Sequence, residues 1–128
     1  MTLIDGHREV IDRYLAAYNA FDVAGMIEVL HPNIEFRNVA KGEVTAAARG
    51  RDEFRALARR AVTLFTSRRQ TVREYGSDGD EAWIAVDYEG VLATDLGPGM
   101  RMGDTLRLSG RSTFNFRDGL IVELVDES

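Results

Sequence analysis

The 128-residue chain has no cysteine, two prolines, two histidines and one lysine, Lys41. Without cysteine there is no disulfide, no thiol nucleophile and no thiolate metal site, which fits a reducing, cytoplasmic setting. His7 and His31 alone cannot build a histidine-rich metal centre, so no metal is expected. No run approaches the ~20 apolar residues of a membrane span. The opening Met1-Thr2-Leu3-Ile4-Asp5-Gly6-His7-Arg8 lacks the basic-then-apolar order of a secretory leader. No complete glycine-rich nucleotide motif is present, and Gly97-Pro98-Gly99 is too short to cradle a phosphate, so no cofactor is expected either.

What remains is 45% hydrophobic and 29% charged, with a formal charge of −5. That is the composition of one soluble globular domain spanning 1–128. A chain of this size buries roughly 65–70% of its unfolded surface, enough for a core and a pocket. The charge is uneven: residues 49–73 carry +6, while the flanks carry −3 and −8. Arg55, Arg59 and Arg60 lie off the apolar stripe of a helix and are expected on its solvated face. With a net acidic chain and no interleaved aromatics, no nucleic-acid partner is expected.

Val10, Ile11, Tyr14, Leu15, Tyr18 and Phe21 recur at three- and four-residue steps and predict a helix over Asp5 to Ala20. Asp22 is expected to cap a second, short helix carrying Met26, Ile27 and Leu30, stopped by His31-Pro32. Asn33 to Asn38 reads as a strand and 39–49 as a loop. Asp52 opens a third helix with Phe54, Leu57, Ala58, Ala61, Leu64 and Phe65 along one stripe. Four strands follow, over about Arg68–Tyr75, Glu81–Ala93, Asp104–Phe116 and Leu120–Asp126. Their turns carry Gly76-Ser77-Asp78-Gly79, Asp95-Leu96-Gly97-Pro98-Gly99 and the hairpin signal Asp118-Gly119. The order predicts an α+β domain: three N-terminal helices gathered on one face of a strongly bent mixed or antiparallel sheet, a cone-shaped barrel that encloses a pocket.

Polar groups that share a parity with the core must find a hydrogen bond or cost roughly 1–3 kcal/mol each, so they mark candidate chemistry. Asn38 follows Ile34 and Phe36; Tyr88 shares a face with Ala82, Ile84 and Val86; Ser112 lies with Phe114 and Phe116. Leu120, Val122 and Leu124 lead to Asp126. Tyr14 and Tyr18 are one helical turn apart. A carboxylate in apolar surroundings becomes a better proton acceptor near neutral pH. Each residue also has a structural reading: the tyrosines as core residues with hydroxyls on backbone or water, Asp126 as a solvated strand end, Asn38 as a turn cap, Ser112 as a small residue at a bend. Trp83 lies on the opposite face, where exposure would mark a partner surface. A homodimer through that outer sheet face is expected.

Val10-Ile11-Asp12-Arg13-Tyr14-Leu15 with Asn19-Ala20-Phe21-Asp22 resembles the nuclear transport factor 2-like superfamily, in particular its SnoaL-like and ketosteroid isomerase-like members. So do Leu30-His31-Pro32-Asn33-Ile34-Glu35-Phe36, Gly50-Arg51-Asp52-Glu53-Phe54 and Phe114-Asn115-Phe116-Arg117-Asp118-Gly119-Leu120-Ile121-Val122-Glu123. The resemblance implies a cone-shaped α+β barrel with a deep apolar cavity, commonly dimeric, on a fold that hosts isomerases, cyclases, hydrolases, dehydratases and binding domains. It places Tyr14 at the oxyanion tyrosine of ketosteroid isomerases, while their two acidic positions fall on Asn38 and Ser112. Against limonene epoxide hydrolases, Asn38 and Asp126 match, while Phe36, Val86 and Tyr88 replace a tyrosine, an arginine and an aspartate. Neither histidine lies on a late strand, where SnoaL-type cyclases would place theirs.

The chain is therefore expected to bind a small hydrophobic polyketide-, terpene- or steroid-like molecule. If it is catalytic, it would be a cofactor-independent acid/base isomerase, cyclase or hydrolase. Asp126 would move the proton, Tyr14 or Tyr88 would stabilise an oxyanion and Asn38 would orient the substrate. Tyr18, Phe36, Phe54, Tyr88, Ser112 and Phe114 would line the pocket. The alternative is a non-catalytic ligand-binding or dimerisation domain.

Overall fold

In the computed structural model, which describes residues 6–128, the first helix α1 runs Gly6–Asn19. Asp5, its expected first residue, lies outside the described residues. Ile11, Tyr14 and Leu15 are buried, and Val10 and Tyr18 pack against the core they join. The helix ends with Asp22 N–H on Ala17 O at 2.8 Å and Phe21 N–H on Tyr18 O at 3.2 Å. This paired closure puts Phe21 at a φ of 58°, a position usually given to glycine. Asp22 then caps α2, Val23–Glu28, by accepting the Gly25 N–H at 3.0 Å.

Strand β1, Leu30–Ala40, starts earlier than the sequence pattern suggests, so Leu30 belongs to a strand and not to the second helix. Pro32 is accommodated because β1 has no ladder partners between Leu30 and Glu35. The expected loop over 39–49 is instead the end of β1 and a further strand, β2, Glu43–Arg49. Lys41 and Gly42, with φ of 52° and 80°, make the two-residue turn between them. β2 escapes notice because it is an alanine-rich edge strand with Ala48 as its one buried residue, so no alternation shows. Gly50, at a φ of 80°, turns the chain sharply into α3, Gly50–Val62, two residues before the expected start at Asp52. Glu53 accepts the Arg49 N–H at 3.0 Å and, with Asp52, places negative charge in the helix's first turn.

The later strands are β3 Phe65–Asp78, β4 Glu81–Leu92, β5 Thr105–Arg117 and β6 Leu120–Glu127. They form one six-stranded sheet in the order β2-β1-β6-β5-β4-β3, mixed because β1 pairs with β6 in parallel and all other neighbours are antiparallel. Register shifts in β1, β3 and β5–β6 bend the strands, and the sheet stays open, with β2 and β3 at its edges. α1 packs on β3 and α3 on β1 and β2, so the helices cover the inner face. One bulge alters the expected parity: Phe116 pairs with Ile121 and Asn115 with Glu123, leaving Val122 unpaired. Ile121, not Val122, is therefore buried beside Leu124.

Candidate functional site

The register sets the inner face out in rows. Phe36, Leu124, Phe114 and Ala82 lie side by side across β1, β6, β5 and β4 and form the floor of the core. The next row is Asn38, Asp126, Ser112 and Ile84, so three of the four positions carry a polar group. Beyond it lie Gly110, Val86 and Val72, then Leu108, Tyr88 and Gln70, then Leu106, Gly90 and Arg68. Asn38, Asp126 and Ser112, with Val86, Tyr88, Gln70, Leu108 and Leu106 from the rows beyond and Tyr18 from α1, line an open-mouthed pocket of about 240 Å³.

Asp126 is its central ionisable group. The side chain is partly buried, and its Oδ1 accepts a 2.6 Å hydrogen bond from Ser112 Oγ, itself buried. Burial pushes the carboxyl up to about 6, against the lowering effect of that hydrogen bond. Asn38 also faces the pocket, but its Nδ2 donates to Thr45 Oγ1 at 2.8 Å on β2, which fixes the amide.

Tyr18 and Tyr88 form the opposite wall with ring centroids 6.3 Å apart, and Phe65 stands edge-on to Tyr88 at 6.0 Å. Burial holds both phenols above their ordinary range, so each is a hydrogen-bond donor and not a base at neutral pH. The wall has room because of Gly90: a Cβ there would lie 2.8 Å from the Phe65 ring and 3.1 Å from the Tyr88 hydroxyl. Gly110 is needed for another reason, since a Cβ would lie 2.5 Å from Glu127 O and force the end of β6 away.

Of the residues named from sequence, Asp126, Asn38, Ser112, Tyr18 and Tyr88 come together around the pocket. Tyr14 sits one layer deeper, 4% exposed, between Tyr18 and Phe114; it is near enough to Asp126 for the carboxylate to raise its phenol, on top of the larger effect of burial. Phe114 is in the core at 1% exposure, and Phe36 meets Phe54 edge-on at 5.5 Å, away from the pocket lining. Sequence reasoning missed Gln70, Phe65 and Leu106. In β3 the inner-facing positions include Arg68 and Gln70, so no apolar alternation marks that face. Among the described residues no cluster of three or more His, Cys, Asp or Glu is placed to hold a metal ion.

Trp83, on the outer face, is half-buried: it covers Gly76 and lies under the Arg111 guanidinium at 4.4 Å. Farther along the same face of β4 lie two ion pairs, Arg73 on Asp87 at 3.0 Å and Arg107 on Glu89 at 3.2 Å. No helix of the described residues is long and apolar enough to cross a membrane.

Solved structures share this architecture. TsrD from Streptomyces laurentii aligns over 98% of this chain and 90% of its own with a TM-score of 0.79 and 24% identity. A protein provisionally named a polyketide cyclase from Xanthomonas campestris aligns over 96% and 90%, with a TM-score of 0.77 and 23% identity. A hypothetical protein of ketosteroid isomerase-like fold from Catenulispora acidiphila, in complex with trimethylamine, aligns over 92% and 83%, with a TM-score of 0.77 and 15% identity. No curated protein matches the sequence. Identities this low speak to fold alone, whereas the SnoaL-like domain model matches residues 11–124, nearly the whole chain. The chain belongs to the SnoaL-like domain family.

Proposed function

We propose that the chain is a cofactor-independent acid/base catalyst, of the isomerase or cyclase kind, for a small hydrophobic carbonyl compound. The carrying observation is Asp126, which continues an apolar sheet face into the pocket and titrates near pH 6 while the phenols opposite stay protonated. A base on one wall and neutral donors on the other suit proton removal next to a carbonyl. The C–H proton goes to the Asp126 carboxylate, the electron pair moves to the carbonyl oxygen, and the same carboxyl returns the proton elsewhere or the carbanion closes a ring. Asn38, fixed by Thr45, orients the substrate beside Asp126.

The pocket, at about 240 Å³, is smaller than the usual ~300–1,000 Å³ of drug-sized sites. Within the polyketide-, terpene- and steroid-like range it favours one- or two-ring molecules. That a structural neighbour was crystallised with trimethylamine, and another, TerC, with polyporic acid, supports a small-molecule pocket here.

Hydrogen–deuterium exchange at carbon tests this without the natural substrate. Wild-type protein incubated in D2O with a panel of cyclic enones and 1,3-diketones is expected to exchange the acidic C–H of at least one, followed by NMR. Asp126→Asn is expected to slow that exchange about 100-fold or more. Undiminished exchange in the variant removes Asp126 from the mechanism. One observation favours the second reading, a non-catalytic binding or dimerisation domain: Asp126, Ser112 and Asn38 all spend hydrogen bonds within the protein. On that reading panel members bind and none exchanges.

A further inference from the structure

Several polar side chains around the pocket are bonded within the protein. Ser112 donates to Asp126, Asn38 to Thr45 and Ser109 to Asp87, and the Tyr18 and Tyr88 hydroxyls share a hydrogen bond. Gln70 is different. Its backbone N–H and C=O are both held by the Asn19 side chain. The residue is half-buried in the pocket lining, yet its side-chain amide has no hydrogen-bond partner among the described residues. A partly desolvated amide without a partner costs stability, and in a largely apolar pocket a few such groups fix how a ligand lies.

Two positions earlier on the same face of β3 stands Arg68, 5% exposed and absent from the ion pairs among the described residues. Its Nε donates to Tyr18 O at 3.0 Å, and its guanidinium carbon lies 3.7 Å from the Tyr18 ring centroid and 4.9 Å from that of Phe21. Its Nη2 is buried with no hydrogen-bond partner. The carbonyl end of α1 and two π faces offset part of the cost of burying this cation, and no carboxylate among the described residues pairs with it. Its charge is felt at the pocket wall: burial raises the Tyr18 and Tyr88 phenols, and Arg68 opposes that rise. The acidic groups of the lining, Asp126 and Glu127, lie at the other end, on β6, while Arg111 turns its guanidinium away over Trp83. The pocket is therefore negative at its β6 end and positive at its β3 end.

We infer that the ligand is a carboxylic acid, that its carboxylate is received by the Gln70 side-chain N–H in the field of Arg68, and that Gln70 thereby sets which end of the molecule meets Asp126. Asp126 and Gln70 stand three strand spacings apart, from β6 to β3, and are offset along the strands by the step from Ile84 to Tyr88. At ~4.8 Å per strand and ~3.3 Å per residue, that is at most roughly 19 Å between backbones. Two side chains reaching inward across a bent sheet leave the length of a one- or two-ring acid. Asp126 and Glu127 repel the ligand's anionic end and Arg68 draws it, so the opposite end is left beside Asp126. This deepens the acid/base reading, from which it takes the reacting carbon, while the seat of the carboxylate does not depend on turnover. Gln70 touches the ligand and determines specificity; Arg68 touches no ligand atom and is a positioning residue.

The test uses 2-naphthoate, ionised at neutral pH, and 2-acetonaphthone, a neutral ketone of similar shape, in calorimetric titration. Wild type is expected to bind the naphthoate at least tenfold more tightly than the ketone. Gln70→Leu is expected to lose most of that preference by weakening the naphthoate alone. Gln70→Glu, which sets like charge against the carboxylate, is expected to invert it. Arg68→Met is expected to lower the preference and Arg68→Lys to restore it, a selectivity for charge that a purely structural role would not give. Should Arg68→Met fail to fold, the two Gln70 variants, which keep the cation, decide. Equal affinity for the two probes in the wild type, binding of neither, or full preference retained in Gln70→Leu overturns the inference. Carbon exchange separates the two proposals. Exchange that depends on Asp126, in a protein without carboxylate preference, sinks this inference and leaves the acid/base reading standing. Carboxylate preference that is lost in Gln70→Leu, in a protein that exchanges no C–H, upholds the carboxylate seat and removes the acid/base reading.

Discussion

Asp126 ties the site to the stability of the fold through its proton. The carboxyl titrates near 6 in the folded chain against an ordinary 3.8. The folded state therefore holds the proton more tightly than the unfolded one. The stability this gives is complete below about pH 4 and is lost as pH rises through 6, a difference of roughly 3 kcal/mol. Asp126→Asn removes the ionisation and still offers an oxygen to Ser112. The variant is expected to be more stable than wild type by roughly 1–3 kcal/mol at pH 8 and about equal to it at pH 4, measured by urea unfolding at both values. A variant equally stable at both would mean that the carboxylate is not desolvated. The candidacy of Asp126 was legible because it shares parity with Leu124, beyond the bulge at Val122. Arg68 was not, because a charge within a basic stretch looks solvated, and the rings that bury it come from Tyr18 and Phe21, about fifty positions earlier.

At the level of elements, the pocket depends on how the end of α1 is seated on β3. Asn19 does this with one side chain, accepting the Gln70 N–H at 2.8 Å and donating to Gln70 O at 3.3 Å. Asn19→Ala leaves two strand groups without those partners. It is expected to cost about 1–3 kcal/mol in chemical unfolding and to weaken ligand binding, because Tyr18 precedes Asn19 directly. Unchanged stability would mean that water replaces both bonds. Elements with strict alternation, β4 and β5, were readable from sequence almost to their ends. β2 was hidden by exposed alanines, and the inner parity of β6 was misjudged because the bulge at Val122 shifts the pattern by one residue. A bulge is set by pairing with a neighbour, which local periodicity does not contain.

For the whole molecule, size and surface govern what can be bound. A cavity of about 240 Å³ should take one or two rings, so affinity is expected to peak with naphthalene-sized ligands and to fall at least tenfold for a four-ring steroid in calorimetric titration. Equal affinity for the steroid would mean that the pocket does not set the ligand's size. Among the eight arginines of 49–73, several have partners within the fold, with Arg51 on Leu30 O, Arg55 on Asp52, Arg73 on Asp87 and Arg68 over the Tyr18 and Phe21 rings, while Arg59 and Arg60 are exposed. The homodimer expected from the sequence, through the outer sheet face, would bury the half-buried Trp83. Analytical ultracentrifugation should then show a two-subunit mass that falls to one subunit when Arg111→Glu places like charge at the centre of that face. A single-subunit mass in the wild type would end that expectation.

The parallel pairing of β1 with β6 has a consequence for how the molecule is made. About eighty residues of synthesis separate the two strands, so the edge of a nascent β1 opposite β2 must wait unpaired until β6 has been made. Contacts that span so much chain slow folding. Asp126 arrives on the strand that closes this seam, so the catalytic candidate is seated by the same late event that completes the sheet.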